Sequence, residues 1–272
     1  VIYNFDNIDV AINHSGIIST NASINTTNSI EPAYVLGYSK PINQLPFGPI
    51  KTTLNSSYIP VIDQEPNYAE VNRIKSLIND SGFSGINIEF AGLHHDCWYL
   101  DGYSLKVQPN NLVEAGISYS TFWELCGTLR EKSNRINYLD EGSLIHSWAA
   151  QLSGIGDIYD FSYDFKVNWQ PVYIIGRRSP IEVKLLSAAE TISFNIDSYR
   201  RNLFTGENVV PNIFNENNGN LYFQNLSIIC NDGCTGSNYL TLNVSGFKIK
   251  NISPAVQVGE VLRTSYVANR YY

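Results

Sequence analysis

The six residues PVYIIG at 171–176 have a partner at 32–37, PAYVLG, and that correspondence sets the frame in which the chain has to fold. Both begin at a proline, carry a central tyrosine (Tyr34, Tyr173) and end in glycine (Gly37, Gly176). Four residues beyond each glycine stands a proline (Pro41, Pro180) followed by isoleucine. The shared offset is 139 residues. It also pairs Ala22-Ser23-Ile24 with Phe161-Ser162-Tyr163. Downstream it drifts: Ile86 and Ile88 match Leu226 and Ile228 at 140, Leu105-Lys106-Val107 match Phe247-Lys248-Ile249 at 142, and Pro109 matches Pro254 at 145. Chance similarity does not keep its order over so long a stretch, so the chain reads as one unit written twice, residues 1–127 and 128–272. The glycines are expected at tight turns, where a residue without Cβ is favoured.

Each unit is of domain size and can bury a core of its own. The chain is 43% hydrophobic and only 16% charged, with 18 Tyr and 12 Phe. Aromatic and β-branched enrichment favours sheet over helix. The fold class expected is therefore mostly β: two tandem β-sandwich or partly closed barrel domains, each with one flanking helix.

Strands are expected at 33–37, 51–59, 86–90, 103–108 and 113–122 in the first unit. In the second they are expected at 158–168, 172–176, 181–186, 190–196, 220–230, 239–250 and 256–268. The clearest helix is 67–78, where Val71, Ile74, Lys75 and Ile78 follow helical spacing, with Pro66 before the first turn and Gly82 past the end. SYRRNLF at 198–204 is the remnant expected in its place in the second unit. The polar stretch 128–143 is the expected boundary. Open strand edges in such a fold must be blocked or used for assembly.

Charge excludes a protein that grips nucleic acid, since such affinity comes from Lys and Arg neutralising phosphates. The net charge is −7, and it is uneven: 5 basic and 12 acidic residues in 1–127, which leaves 13 and 13 in 128–272. The two units therefore face different neighbours. No apolar run is long enough to span a membrane.

No catalytic constellation, cofactor motif or metal site is read. His94-His95-Asp96-Cys97 is the one cluster of ligand types, but neighbours on a strand point to opposite faces, and a distant partner such as Cys126 or His146 would be needed. A hairpin loop with a partly buried Cys97 is the simpler reading. Cys230 and Cys234 flank a tight turn, either as a disulfide or as two thiols. The acid pairs Asp140/Glu141 and Asp160/Asp164 have the residue types of a glycosidase without its placement across a cleft. Trp98, Trp123, Trp148 and Trp169 are widely separated, which favours packing over sugar stacking. Arg177-Arg178 suits a solvated turn or an interface ion pair.

Three segments carry a resemblance. They are ETISFNID at 190–197 after the turn GRRSP, YSLKVQPNNLVEAGISYSTFWE at 103–124, and its counterpart GFKIKNISPAVQVGEVLRTSYV at 246–267. In these the chain resembles bacteriophage tail-tube proteins and the tube-like domains of baseplate hubs, here internally duplicated. The resemblance implies a non-enzymatic virion protein made in the host cytoplasm. Its sheets would extend from copy to copy into rings that stack through an arm. DNA would cross the lumen in passing without being bound, and sheath, baseplate or other tail proteins would be neighbours. With two units per chain, the ring is either a trimer with pseudo-six-fold symmetry or a hexamer in which one unit lines the channel and the other decorates it. A hub or adaptor ring is the alternative within that class. A secreted glycan-binding β-sandwich is the alternative from another class, supported by eight Asn-x-Ser/Thr sequons and the tryptophans.

Overall fold

The protein is described by a computed structural model. It covers residues 9–12, 15–28, 30–37, 39–41, 43–46, 50–60, 66–77, 84–90, 93–108, 111–122, 130–131, 149–153, 156–175, 177, 179–197, 214–217, 219–231, 238–255 and 263–272. The chain is mostly β, built of antiparallel pairings. The first half runs β1 (Asp9–Ile12), β2 (Ser15–Thr27), β3 (Ile30–Ala33), β4 (Asn43–Pro46), β5 (Lys51–Tyr58), α1 (Pro66–Leu77), β6 (Ile86–Phe90), β7 (Leu93–Val107) and β8 (Glu114–Phe122). The rest runs β9 (Arg130–Glu131), β10 (Ala149–Leu152), β11 (Gly156–Asp157), β12 (Asp160–Val172), β13 (Glu182–Asp197), β14 (Phe214–Asn217) and β15 (Asn220–Phe223). It ends with β16 (Ser227–Asn231), β17 (Asn238–Asn243), β18 (Lys248–Ala255) and β19 (Arg263–Tyr271).

Alternation makes these strands. In β12, Phe161, Tyr163 and Phe165 are buried while Ser162, Asp164 and Lys166 lie on the other face. A half-buried sheet demands that period of two. β5, β8, β13 and β19 alternate in the same way. α1 buries Val71 and Ile74 completely, and its Asn67 is buried too. Asn67 donates from Nδ2 to the Tyr58 hydroxyl at 2.7 Å and accepts from the Tyr119 hydroxyl at 3.0 Å, so the helix is anchored on β5 and β8.

β2 and β7 are long enough to turn corners between layers. The first part of β2 pairs with β1 and the rest with β5. The first part of β7 pairs with β6 and the rest with β8. The order β6-β1-β2-β5-β8-β7 therefore returns to β6, a closed circuit. Beyond it, β12 pairs with the outer side of β7, and the sheet continues through β13, β19 and β18 to the hairpin β15-β14. A separate sheet, β11-β10-β16-β17, lies under the second half and contributes Ala150, Leu152, Ile228, Cys230, Leu240 and Leu242 to the core.

Pairings recur along the chain. Val10↔Phe90 becomes Ala150↔Cys230 when 140 is added to each number. Ile30↔Pro46 becomes Trp169↔Leu185 on adding 139, and Tyr103↔Ile117 becomes Ile252↔Tyr266 on adding 149.

Several expected boundaries are corrected. Of the strands expected at 33–37 and 172–176, only Ala33 and Val172 are in strands: β3 ends at Ala33, β12 ends at Val172, and Tyr34 to Gly37 and Tyr173 to Ile175 lie beyond the strand ends. They are apolar without being buried, which the pattern alone does not distinguish. The strands expected at 181–186 and 190–196 are one strand, β13. The stretch 220–230 is broken into β15 and β16 at Asn225, which adopts φ 50. The hairpin expected from 239–250 and 256–268 is formed by β18 and β19 further along, because 239–250 is interrupted by a turn in which Gly246 has φ 83. Residues 94–97 belong to β7 rather than to a loop. The expected helix at 198–204 lies outside the described residues, as does nearly all of 128–143.

Candidate functional site

One face of the sheet β2-β5-β8-β7-β12-β13-β19-β18 packs on the core, and the other is polar, with small side chains over much of it and charged ones such as Lys106, Glu114 and Lys166 among them. β2 places Asn21, Ser23 and Asn25 there, β5 places Thr53, Asn55 and Ser57, and β8 places Gly116 and Ser118. From the second half come Ser162 and Asp164 on β12, with Thr191, Ser193 and Asn195 on β13. Cross-strand bonds tie this surface together, Ser162 Oγ with Ser193 Oγ at 2.7 Å and Asn195 Nδ2 donating to Asp160 Oδ1 at 2.6 Å. Glycines dent it. A Cβ on Gly116 would stand 2.6 Å from Ser104 Oγ, and the trough of about 320 Å³ there is lined by Gly102, Ser104, Ser118, Asp164 and Lys166. Its charges are of both signs, so it has neither the basic stripe of a phosphate-binding groove nor a convergent catalytic set.

Two edges of this eight-strand stretch are open among the described residues. Residues 19–27 of β2 pair with β5 on one side alone. β18 pairs with β19 along its length and meets β15 only at Lys248. In the middle, β7 and β12 meet edge to edge over six pairs, from Phe161↔Val107 to Lys166↔Gly102.

Beneath that seam lies a buried polar cluster centred on Glu190, which is 1% exposed. Lys75 of α1 pairs with its Oε1. The Tyr163 hydroxyl donates to Oε1 at 2.5 Å and the Tyr272 hydroxyl to Oε2 at 2.6 Å, and Arg270 Nε donates to Oε2 at 2.7 Å. Burial alone would push the carboxyl up, but the Lys75 charge and these hydrogen bonds hold it below the ordinary carboxylate value. Burial pulls the Lys75 ammonium down, only partly offset by Glu190. Burial and the Glu190 charge push the Tyr68, Tyr163 and Tyr272 hydroxyls well up. Sequence reasoning missed this cluster, although a signal existed: Glu190 stands in phase with Ile192, Phe194 and Ile196, and a charge in the buried phase needs a partner.

Of the expected turn residues, Gly37 lies in an exposed turn at φ 94, Pro41 is exposed, Pro180 is buried just before β13, and Gly176 lies outside the described residues. The hairpin ends beside them expose Leu36 (102%) and Ile175 (106%). His94 Nε2 lies 2.5 Å from Asp96 Oδ1, while buried His95 accepts from the Cys97 N–H at 3.3 Å, so the two imidazoles diverge. No group of three His, Cys, Asp or Glu among the described residues is arranged to hold a metal ion. Cys97 is held in a disulfide, and Cys230 is a buried thiol whose ionisation burial opposes. Trp98 and Trp169 are core residues, and Trp169 Nε1 donates to the Leu100 carbonyl at 2.8 Å. Cys126, Cys234, Trp123, Trp148, His146, Asp140, Glu141 and Arg178 lie outside the described residues. Among the described residues no helix is long and apolar enough to cross a membrane.

No family model matches the chain. No curated protein matches it either. Among solved structures it is similar to the SPP1 Dit (gp 19.1) protein, described as a paradigm of hub adsorption apparatus in Gram-positive infecting phages. The identity is 7% and the TM-score 0.25, over 97% of this chain and 99% of that one. So faint a likeness assigns neither fold nor role to this chain.

Proposed function

We propose that the protein is a non-enzymatic structural subunit of a bacteriophage tail, whose duplicated β unit closes with two further copies into a pseudo-six-fold ring of the tail tube. A hub or adaptor ring uses the same closure. The phage assignment comes from the resemblance of 103–124, 190–197 and 246–267 to tail-tube sequences. The ring comes from one observation: inside the chain, two four-strand sheets already meet edge to edge at β7 and β12, leaving β2 and β18 open. Moving the β7–β12 register by the offsets of the recurring pairings, 139 for β12 onto β2 and 149 for β7 onto β18, gives the register between copies. Thr27 faces Asn251, Thr26 faces Ile252, and Asn25 faces Ser253 of the next chain. Pairing satisfies the edge N–H and C=O groups that an isolated chain leaves to water. The small polar face then lines the cylinder as a wet, mixed-charge surface over which DNA slides without being held.

Negative-stain microscopy and light scattering of the purified chain test this. The expected result is a particle of three times 30.5 kDa, seen as rings or tubes about 100 Å across. A chain that stays monomeric at the highest soluble concentration overturns it.

A further inference from the structure

We propose that α1 is a clasp that fixes how the two four-strand sheets meet, with Lys75 as the positioning residue that holds it shut. The helix is anchored in the first half through Asn67, Tyr58 and Tyr119. Two of its side chains, Tyr68 and Lys75, reach across the seam. The Tyr68 ring lies 6.2 Å from Tyr103 on β7 and 6.0 Å from Tyr163 on β12, bridging the two strands that form the seam. Two turns further on, Lys75 passes over the rings of Tyr163 and Phe165, at 5.6 and 5.8 Å, to reach Glu190 on β13.

The seam needs such a device. It is six pairs long, and β7 and β12 are not joined by a tight turn that would set their register. A short ladder between two twisted sheets leaves their mutual angle soft. A cation that can be satisfied at only one buried carboxylate removes that freedom, since any other angle strands a charge in the core. Glu190 keeps other partners when Lys75 is lost, because Arg270, Tyr163 and Tyr272 come from the second half and stay with it. Losing Lys75 therefore opens the clasp while leaving the second sheet intact.

Hydrogen exchange on the full chain, read ladder by ladder, tests the clasp. In Lys75→Met the β7–β12 ladder is expected to lose protection at least tenfold, while the β2–β5 and β13–β19 ladders keep theirs. Lys75→Arg, which keeps the cation, is expected to restore the seam. Unchanged protection at the seam, or an equal loss in every ladder, overturns the proposal. If Lys75→Met does not accumulate as folded protein, Tyr68→Leu removes the ring contacts to both seam strands and the ring beneath the Lys75 ammonium, keeps the Lys75–Glu190 pair itself, and carries the same two outcomes. Neither readout requires ring assembly, so this proposal and the ring stand or fall separately.

Discussion

At the scale of single residues the molecule is ruled by what its tyrosines and one glutamate do with burial. Tyr68, Tyr99, Tyr163 and Tyr272 have hydroxyls pushed above 10 first by desolvation, and Tyr266 is pushed up to about 12. In the unfolded chain these groups lose their protons near pH 10, whereas in the fold they keep them. The stability they contribute is full below pH 10 and is lost as pH climbs through the folded values. Melting temperature is therefore expected to fall steeply above pH 10, measured by calorimetry or circular dichroism; a flat profile to pH 11.5 contradicts the burial. Glu190 has the opposite sign. Its value is depressed in the fold, so its contribution is present above the ordinary carboxylate range and is lost as pH drops through the depressed value. Replacing it with Gln leaves Lys75 and Arg270 buried against each other, and is expected to cost about 3–5 kcal/mol in denaturant unfolding.

At the scale of elements, hairpin geometry decides which substitutions matter. Gly37 occupies φ 94 with nothing near a built Cβ, so the strain of Gly37→Val is conformational alone. It is expected to cost about 1–2 kcal/mol. Pro41→Ala, on an exposed site beyond the bend, is expected to stay within about 0.5 kcal/mol of the parent. Phe165→Ala, on the seam and fully buried, is expected to cost about 3–5 kcal/mol in the same assay. The elements themselves were largely legible in the sequence. β5, β6, β8 and β12 fall where strands are expected, and helical spacing with Pro66 marks α1 to within a residue. The failures share a cause. Leu36 and Ile175 are apolar yet exposed at hairpin ends, and periodicity reports side-chain character without reporting what covers it. The Glu190 cluster was hidden for a related reason. Its members stand at 75, 163, 190, 270 and 272, and only folding brings them together. Residues 239–250 read as one strand because apolar residues recur on both sides of the turn at Gly246, where the buried phase shifts from Leu240, Leu242 and Val244 to Phe247.

At the scale of the whole molecule, everything turns on whether the two open edges find each other. The intramolecular seam shows what a completed edge requires here: a ladder on the polar side and aromatic packing beneath it. On β2, Ala22 and Ile24 already pack partly against the core, and Ile249 and Ile252 do so on β18. Each edge thus carries apolar cover but lacks a ladder partner among the described residues. Proline is the sharpest probe of that difference, since it removes an edge N–H with little cost where no partner exists. Two single variants, Thr26→Pro and Asn25→Pro, cover both orientations of the β2 ladder. One of them has its N–H directed at β5 and is expected to destabilise the subunit itself. The other has its N–H directed outward and is expected to melt within about 1 kcal/mol of the parent while losing the trimer in light scattering. If the variant that folds normally still assembles as the parent does, β2 is not the closing edge and the proposed ring register is overturned.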